Sequence, residues 1–257
     1  MLRLSEILGY APIDIHSHFN HGVLGDVVRG DQEIAHQSSL PFLFGEYENI
    51  GIECGAFSTY SSVLRNDRIV EENDYLWDLV HKEKRMYQWV VLNPEQEKTF
   101  EQARKMLGDK KVLGIKIHRA HGYDTEVYAD KIFSFANEMG ATVVMHPDKM
   151  EKMVDFCDKY PNMRLIIAHL EGTYHADVIK KAKHGNIYAD TSGGASYQNN
   201  ALEYSVSAVG AEKILFGTDT YSAAFQAGRI ALSRISDEEK RLILRDNARR
   251  LFPWAFE

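Results

Sequence analysis

Short apolar runs alternate with longer amphipathic stretches from one end of the chain to the other. The runs at 12–16, 51–57, 87–92, 112–118, 142–146, 164–169, 187–190 and 213–217 read as strands. Most are rich in Val, Ile or Leu without strict alternation, the pattern of parallel strands covered on both faces. Helical punctuation fills the gaps. Asn93-Pro94 offers a cap and a first-turn proline, and Gly108 closes that helix. Asp148-Lys-Met-Glu151 has the form of a capping box, so Asp148 reads as a helix cap rather than a catalytic acid. Ser236-Asp-Glu-Glu239 is a full S-x-x-E box leading into a helix over 240–251. Helices between such strands imply right-handed βαβ units.

The chain has 257 residues, and no Pro/Gly linker, low-complexity segment or charge shift divides it. Residues 1–257 are therefore expected to form a single (β/α)8 TIM barrel, for which about 250 residues is typical. An open doubly wound sheet satisfies the same alternation, but eight strands in this length favour closure. The stretch 18–49 is the least regular and is expected to hold a helix and a long loop over the barrel mouth. A net charge of −7 argues against a general nucleic-acid or anionic-membrane partner and leaves a small-molecule substrate. Cys54 and Cys157 have no C-x-x-C spacing, and no run of about 18 apolar residues occurs. Reduced thiols and a cytoplasmic protein are the expectation. Homo-oligomerisation is left open, because no sequence feature sets an interface.

The polar residues that end the strands carry the chemistry. Residues i and i+2 of a strand share a face, so His16 and His18 are expected to point together, with Ile13 and Ile15 opposite. Lys116 and His118 end the fourth strand in the same alternation, His146 the fifth, His169 the sixth and Asp219 the eighth. In a barrel these carboxyl ends meet around the pocket where barrel active sites lie. A single such histidine reads as a satisfied structural residue. Burying so many polar groups would cost roughly 1–3 kcal/mol each if unpaired, and a shared metal ion removes that cost for several at once.

The motifs Ile13-Asp-Ile-His-Ser-His18, Gly114-Ile-Lys-Ile-His118, Val144-Met-His146, Ile167-Ala-His-Leu-Glu-Gly172 and Ile214-Leu-Phe-Gly-Thr-Asp219 occur in this order. With the tail Arg245-Asp-Asn-Ala-Arg-Arg-Leu-Phe252, the chain resembles the amidohydrolase superfamily. The likeness is to its amidohydrolase-related branch, which includes the aminocarboxymuconate semialdehyde decarboxylase-like enzymes. The resemblance implies a distorted (β/α)8 barrel with a divalent ion on His16, His18, His146 and Asp219. It implies that His169 either sits beside the metal water as a catalytic group or ligates a second ion. Binuclear relatives bridge two ions from the fourth strand, where Lys116 and His118 lie. The Gly-Ile-Lys-Ile-His form also resembles the mononuclear branch, so one ion per chain is expected.

Imidazole nitrogens with a carboxylate oxygen suit Zn2+, and Mn2+, Fe2+, Co2+ or Ni2+ also fit such a set. Hydrolysis of a small amide, ester or lactone needs the fewest assumptions and is the leading expectation. In it Asp219 takes the proton of the metal-activated water, and His169 hydrogen-bonds the substrate carbonyl oxygen or the water, stabilising the developing oxyanion. The alternative is non-oxidative decarboxylation of an unsaturated or aromatic acid; a catalytically dead binding barrel is the third reading. Arg119, His121 and Tyr123, with Tyr60 and Arg65, are candidates for substrate contacts in the βα loops, and Tyr197, Gln198 and Asn199 are weaker ones. His21, His36, His175 and His184 read as surface or loop residues. Asp190-Thr-Ser-Gly-Gly194 reads as turn chemistry, the alternative being a carboxylate that lines the pocket. The basic stretch 245–250 reads as a solvated helix face.

Overall fold

Alternate residues of the strands divide between two hydrophobic clusters. Val144, Ile166 and Ala168 pack with Ile13, Ile15, Trp89 and Leu215 in one cluster. Val143, Met145, Leu165 and Ile167 pack in the other, with helix residues such as Leu76, Phe100 and Ile132. The first cluster fills the inside of a barrel and the second lies between barrel and helices. Both faces of each strand are thus apolar, which is why the strands lack a two-residue polarity.

The computed structural model describes residues 2–21, 38–146, 148–193, 198–219 and 221–256. Its strands are β1 (Ile13–Phe19), β2 (Cys54–Thr59), β3 (Met86–Val91), β4 (Val112–Ile117), β5 (Thr142–Met145), β6 (Arg164–Ile167), β7 (Ile187–Asp190) and β8 (Ile214–Leu215). They lie parallel in sequence order. The seam between β8 and β1 is bridged by backbone bonds, from Ile15 N–H to the Phe216 carbonyl at 2.9 Å and from Thr218 and Asp219 N–H to the His16 carbonyl at 2.9 and 2.8 Å. The expected barrel is therefore present. Phe252 and Phe256 join the inner cluster from the C-terminal segment. Trp89 Nε1–H donates to the Ile15 carbonyl at 2.7 Å.

Several local expectations change. The helix expected from Asn93-Pro94 begins only at Glu97 and runs Glu97–Met106. Asn93 instead folds a buried turn, accepting from Glu95 N–H at 2.9 Å and donating to Asn66 Oδ1 at 2.9 Å. Asp148 does not cap the next helix, which runs Met150–Lys159 behind Lys149 at φ 47°. The Ser236 box is formed as expected, with Ser236 Oγ accepting from Glu239 N–H at 3.2 Å. The run 240–251 is helical as expected but irregular: Asp237–Arg241 passes without a break through a π-helical turn, Leu242–Asp246, into Asn247–Leu251. Its basic face is not merely solvated, since Arg245 pairs with Glu53 at 2.6 Å and is only 14% exposed. Of the irregular stretch, Leu40–Ile50 is helical, while 22–37 and with it His36 lie outside the described residues. Cys54 and Cys157 are free and buried. Among the described residues no helix is long and apolar enough to cross a membrane.

The closing helix is tied to the barrel by Asn247, fully buried, whose Nδ2 donates to the Ala211 and Ile214 carbonyls at 2.8 and 2.7 Å. Asn247→Ala strands two buried acceptors, and the expected loss is about 1–3 kcal/mol of folding stability. Urea denaturation should show a lower midpoint with an unchanged slope. An unchanged midpoint contradicts this role.

Candidate active site

β1 is buried along its whole length, and its register with β2 shifts between Asp14 and Ser17. The shift corrects the simple alternation. Ile13 and Ile15 belong to the inner cluster, and beyond the shift His16 and His18 turn into the same interior. Asp14 faces outward and accepts from the hydroxyl of Tyr47, on the helix Leu40–Ile50, at 2.5 Å. The irregularity lets an apolar core give way to a polar layer within one strand.

The His16 and His18 Nε2 atoms lie 3.2 Å apart, and each ring is set from behind. His18 Nδ1–H donates to the Ser58 carbonyl at 3.1 Å. The Ser58 hydroxyl lies 2.9 Å from the same nitrogen, and with the proton on Nδ1 the Nε2 of His18 carries none. His16 Nδ1–H donates to Asp190 Oδ2 at 2.9 Å, and Lys116 Nζ donates to His16 Nε2 at 2.6 Å, so that nitrogen carries no proton either. Asp219 Oδ1 lies 3.2 Å from His18 Nε2 and 3.7 Å from His16 Nε2. Ligands at about 2.0–2.2 Å from an ion stand about 3–3.5 Å from one another. His16, His18 and Asp219 therefore fit a divalent ion, and their donor atoms form one compact group. His146 lies beside His169, the two ring centroids 4.9 Å apart, and is not among the residues whose donor atoms form that compact group.

His169 Nε2 is 3.8 Å from Asp219 Oδ2. Both residues take left-handed backbone conformations, at φ 63° and 51°. For residues other than glycine this costs of order 1–3 kcal/mol each and is held by surrounding bonds. The His16 carbonyl holds Asp219 N–H, and Asp190 Oδ1 accepts from His169 N–H at 3.3 Å.

Burial pushes the Lys116 ammonium down to about 8, against the opposing pull of Asp219 and Asp190. Burial alone would raise the Asp219 carboxyl, but its close contacts with the His18, His16 and His169 rings outweigh it. The group is held well below the usual carboxylate range. Asp190 is held low in the same way, its burial outweighed by His16. Burial also drives the His169 and His118 rings towards their neutral forms.

The remaining candidates divide. His118 is half-buried beside His146, with ring centroids 4.9 Å apart, and its Nδ1 accepts from Ala120 N–H at 3.1 Å. His121 is buried and bonded through Nε2 to the Ser62 carbonyl at 2.9 Å, a structural placement, and Tyr123 is buried beside it. Arg119 is exposed. Arg65, 45% exposed, pairs with Asp67 at 3.2 Å. Both arginines stand outside the buried ligand group, because short surface turns carry them. Tyr197 lies outside the described residues, and Gln198 and Asn199 are exposed. Of the histidines read as surface or loop residues, His175 departs from that reading, while His21 lies in the loop after β1, half-buried. His175 is buried in the helix Gly172–Lys181, its Nδ1 accepting from Glu171 N–H at 2.9 Å. His21 stacks on Tyr75 with centroids 3.4 Å apart and donates to Glu72 Oε2 at 3.0 Å. The consequential omission is Asp190, set aside as turn chemistry but fully buried against His16. The signal that picked out Asp219, an acid at a strand end, marked it equally.

The chain belongs to the amidohydrolase family: the amidohydrolase family model matches residues 13–254. No curated protein matches the sequence. Among solved structures, a 2,6-dihydroxybenzoate decarboxylase from Rhizobium is similar at a TM-score of 0.73 and 16% identity, covering 95% of this chain and 98% of that one. A 5-carboxyvanillate decarboxylase from Novosphingobium aromaticivorans, complexed with manganese, is similar at 0.75 and 14% identity, with 98% of each chain covered. An amidohydrolase from Burkholderia multivorans with bound zinc gives 0.72 and 15%, covering 95% of this chain and 99% of that one. At these identities the likeness is one of fold. The matches nevertheless overturn hydrolysis as the leading expectation, because the similar structures named for a reaction on a defined substrate are decarboxylases of aromatic acids.

His16→Ala and Asp219→Ala are expected to abolish metal retention. Asp190→Asn, which disturbs the support of His16, is expected to weaken affinity about 10–100-fold. Elemental analysis and chelator competition on folded variants measure both effects. Unchanged metal content in the alanine variants contradicts the ligand assignment.

Proposed function

We propose that the protein is a metal-dependent, non-oxidative decarboxylase of an aromatic or unsaturated carboxylic acid. One divalent ion would be held by His16, His18 and Asp219, with His146 as the further ligand. The observation that carries this reading is the buried Lys116 ammonium, 2.6 Å from the ligand atom of His16. The His16 Nε2 lone pair serves one partner at a time, so an ion there leaves Lys116 facing the pocket. A cation beside a divalent ion suits an organic carboxylate. The decarboxylases of similar fold support the same reaction class. Manganese and zinc are the ions recorded in the similar structures, and imidazole with carboxylate suits both.

A bound divalent ion would supply Lewis acidity to the substrate's oxygens. The chain's own residues do the rest. Lys116 receives the carboxylate and orients the carbon–carbon bond that breaks. As CO2 leaves, the carbon that carried it must take up a proton. Asp219 is the group placed to carry that proton, with His169 beside its Oδ2. Its carboxyl rests ionised, so the proton it delivers has to arrive with the substrate. Acids that also bear an acidic ring hydroxyl meet that requirement.

The test is a substrate panel with CO2 detection on metal-loaded protein, setting hydroxylated aromatic acids and unsaturated acids beside lactones, esters and amides. CO2 release from the hydroxylated acids is expected, falling about 100-fold or more in Asp219→Asn at equal metal occupancy. Turnover confined to the lactones, esters or amides overturns the proposal.

A further inference from the structure

The turn that follows β7 touches two of the site's imidazoles at once. Asp190 is fully buried; its Oδ2 accepts from His16 Nδ1–H, and its Oδ1 accepts from Ser192 N–H at 2.9 Å and from the Ser192 hydroxyl in a short bond. The Ser192 hydroxyl, also fully buried, lies 3.0 Å from His16 Nδ1 and 3.0 Å from His169 Nδ1. The Ser192 carbonyl is 3.3 Å from the same His169 nitrogen. The backbone leaves no slack there. Gly193 has φ 75°, and a Cβ on it would fall 2.5 Å from His169 Nδ1. A Cβ on Gly217 would fall 3.0 Å from His16 Cβ and 3.1 Å from Ser192 Cβ.

Counting protons settles the direction of these bonds. A serine hydroxyl has one proton and two lone pairs, and an ionised carboxylate only accepts. The Ser192 proton therefore goes to Asp190 Oδ1, and its oxygen accepts from the ring nitrogens. We infer that Ser192 is a positioning residue that couples His169 to the Asp190–His16 pair and holds His169 with its proton on Nδ1. The Nε2 lone pair of His169 then faces Asp219. Of the roles expected from the sequence this keeps the bond to a water and drops donation to a carbonyl oxygen: His169 accepts a proton or hydrogen bond at Nε2. The inference does not depend on which reaction the site performs.

The measurement is a long-range 1H–15N correlation spectrum of the full chain labelled on histidine nitrogens and loaded with Zn2+. The His169 signals are identified by their loss in His169→Gln. A proton on Nδ1 and a bare Nε2 are expected for His169 in the unsubstituted protein. In Ser192→Ala the ring is expected to shift by more than half towards the Nε2–H form, with metal content unchanged because Asp190 still supports His16. An Nε2–H or doubly protonated His169 in the unsubstituted protein overturns the inference, whether or not the variant folds. So does a Ser192→Ala spectrum identical to the parent, which would leave the Ser192 carbonyl as sufficient.

Discussion

The carbonyl of His16 accepts backbone hydrogen bonds from both Thr218 and Asp219, and the site depends on that convergence. The two bonds bridge the last strand region to the first and place one ligand residue against another in the same act. Behind them a single acid straps the seam. Asp14 Oδ1 accepts from His16 N–H at 3.0 Å and Thr218 N–H at 3.2 Å, and Oδ2 accepts from the Thr218 hydroxyl at 2.6 Å. Burial pushes the Asp14 carboxyl up to about 7 in spite of these bonds, so the strap carries an electrostatic cost. Closure of the barrel and assembly of the candidate ligand group are one structural event.

From that seam the polar layer spreads in a defined order. Asp190 and Ser58 set the ring nitrogens of the H-x-H pair from behind, turning both Nε2 atoms towards Asp219. Two left-handed residues, His169 and Asp219, aim their side chains at the same point. Such strain persists only where neighbouring bonds over-determine the backbone. The charges balance locally as well: the Lys116 ammonium sits among Asp190 and Asp219, which is what allows a lysine to be buried there.

Much of this was legible in the sequence. The eight apolar runs and their polar ends marked the barrel and its mouth, because strand burial on both faces leaves a signature that a single chain displays. That His16, His18 and Asp219 would lie together followed from the same rule. The register shift in β1 was not legible, since periodicity assumes a regular pleat and both Ile15 and His16 turn inward. Asp190 was hidden by its neighbours, because Asp-Thr-Ser-Gly-Gly is also good turn sequence; here the turn and the support of His16 are the same residues. The arginines were overvalued: position after a strand says nothing about whether a long side chain turns inward, and Arg65 and Arg119 stay at the surface. The reaction was ranked wrongly because metal-ligand geometry is shared across chemistries. The ranking was overturned by the similar structures named as decarboxylases of aromatic acids.

Anomalous diffraction from crystals grown with Mn2+ or Zn2+ addresses the central claim most directly. The account predicts one strong peak per chain within about 2.0–2.3 Å of His16 Nε2, His18 Nε2 and an Asp219 oxygen. A peak away from these atoms, or two peaks of equal strength bridged by Lys116, would contradict it.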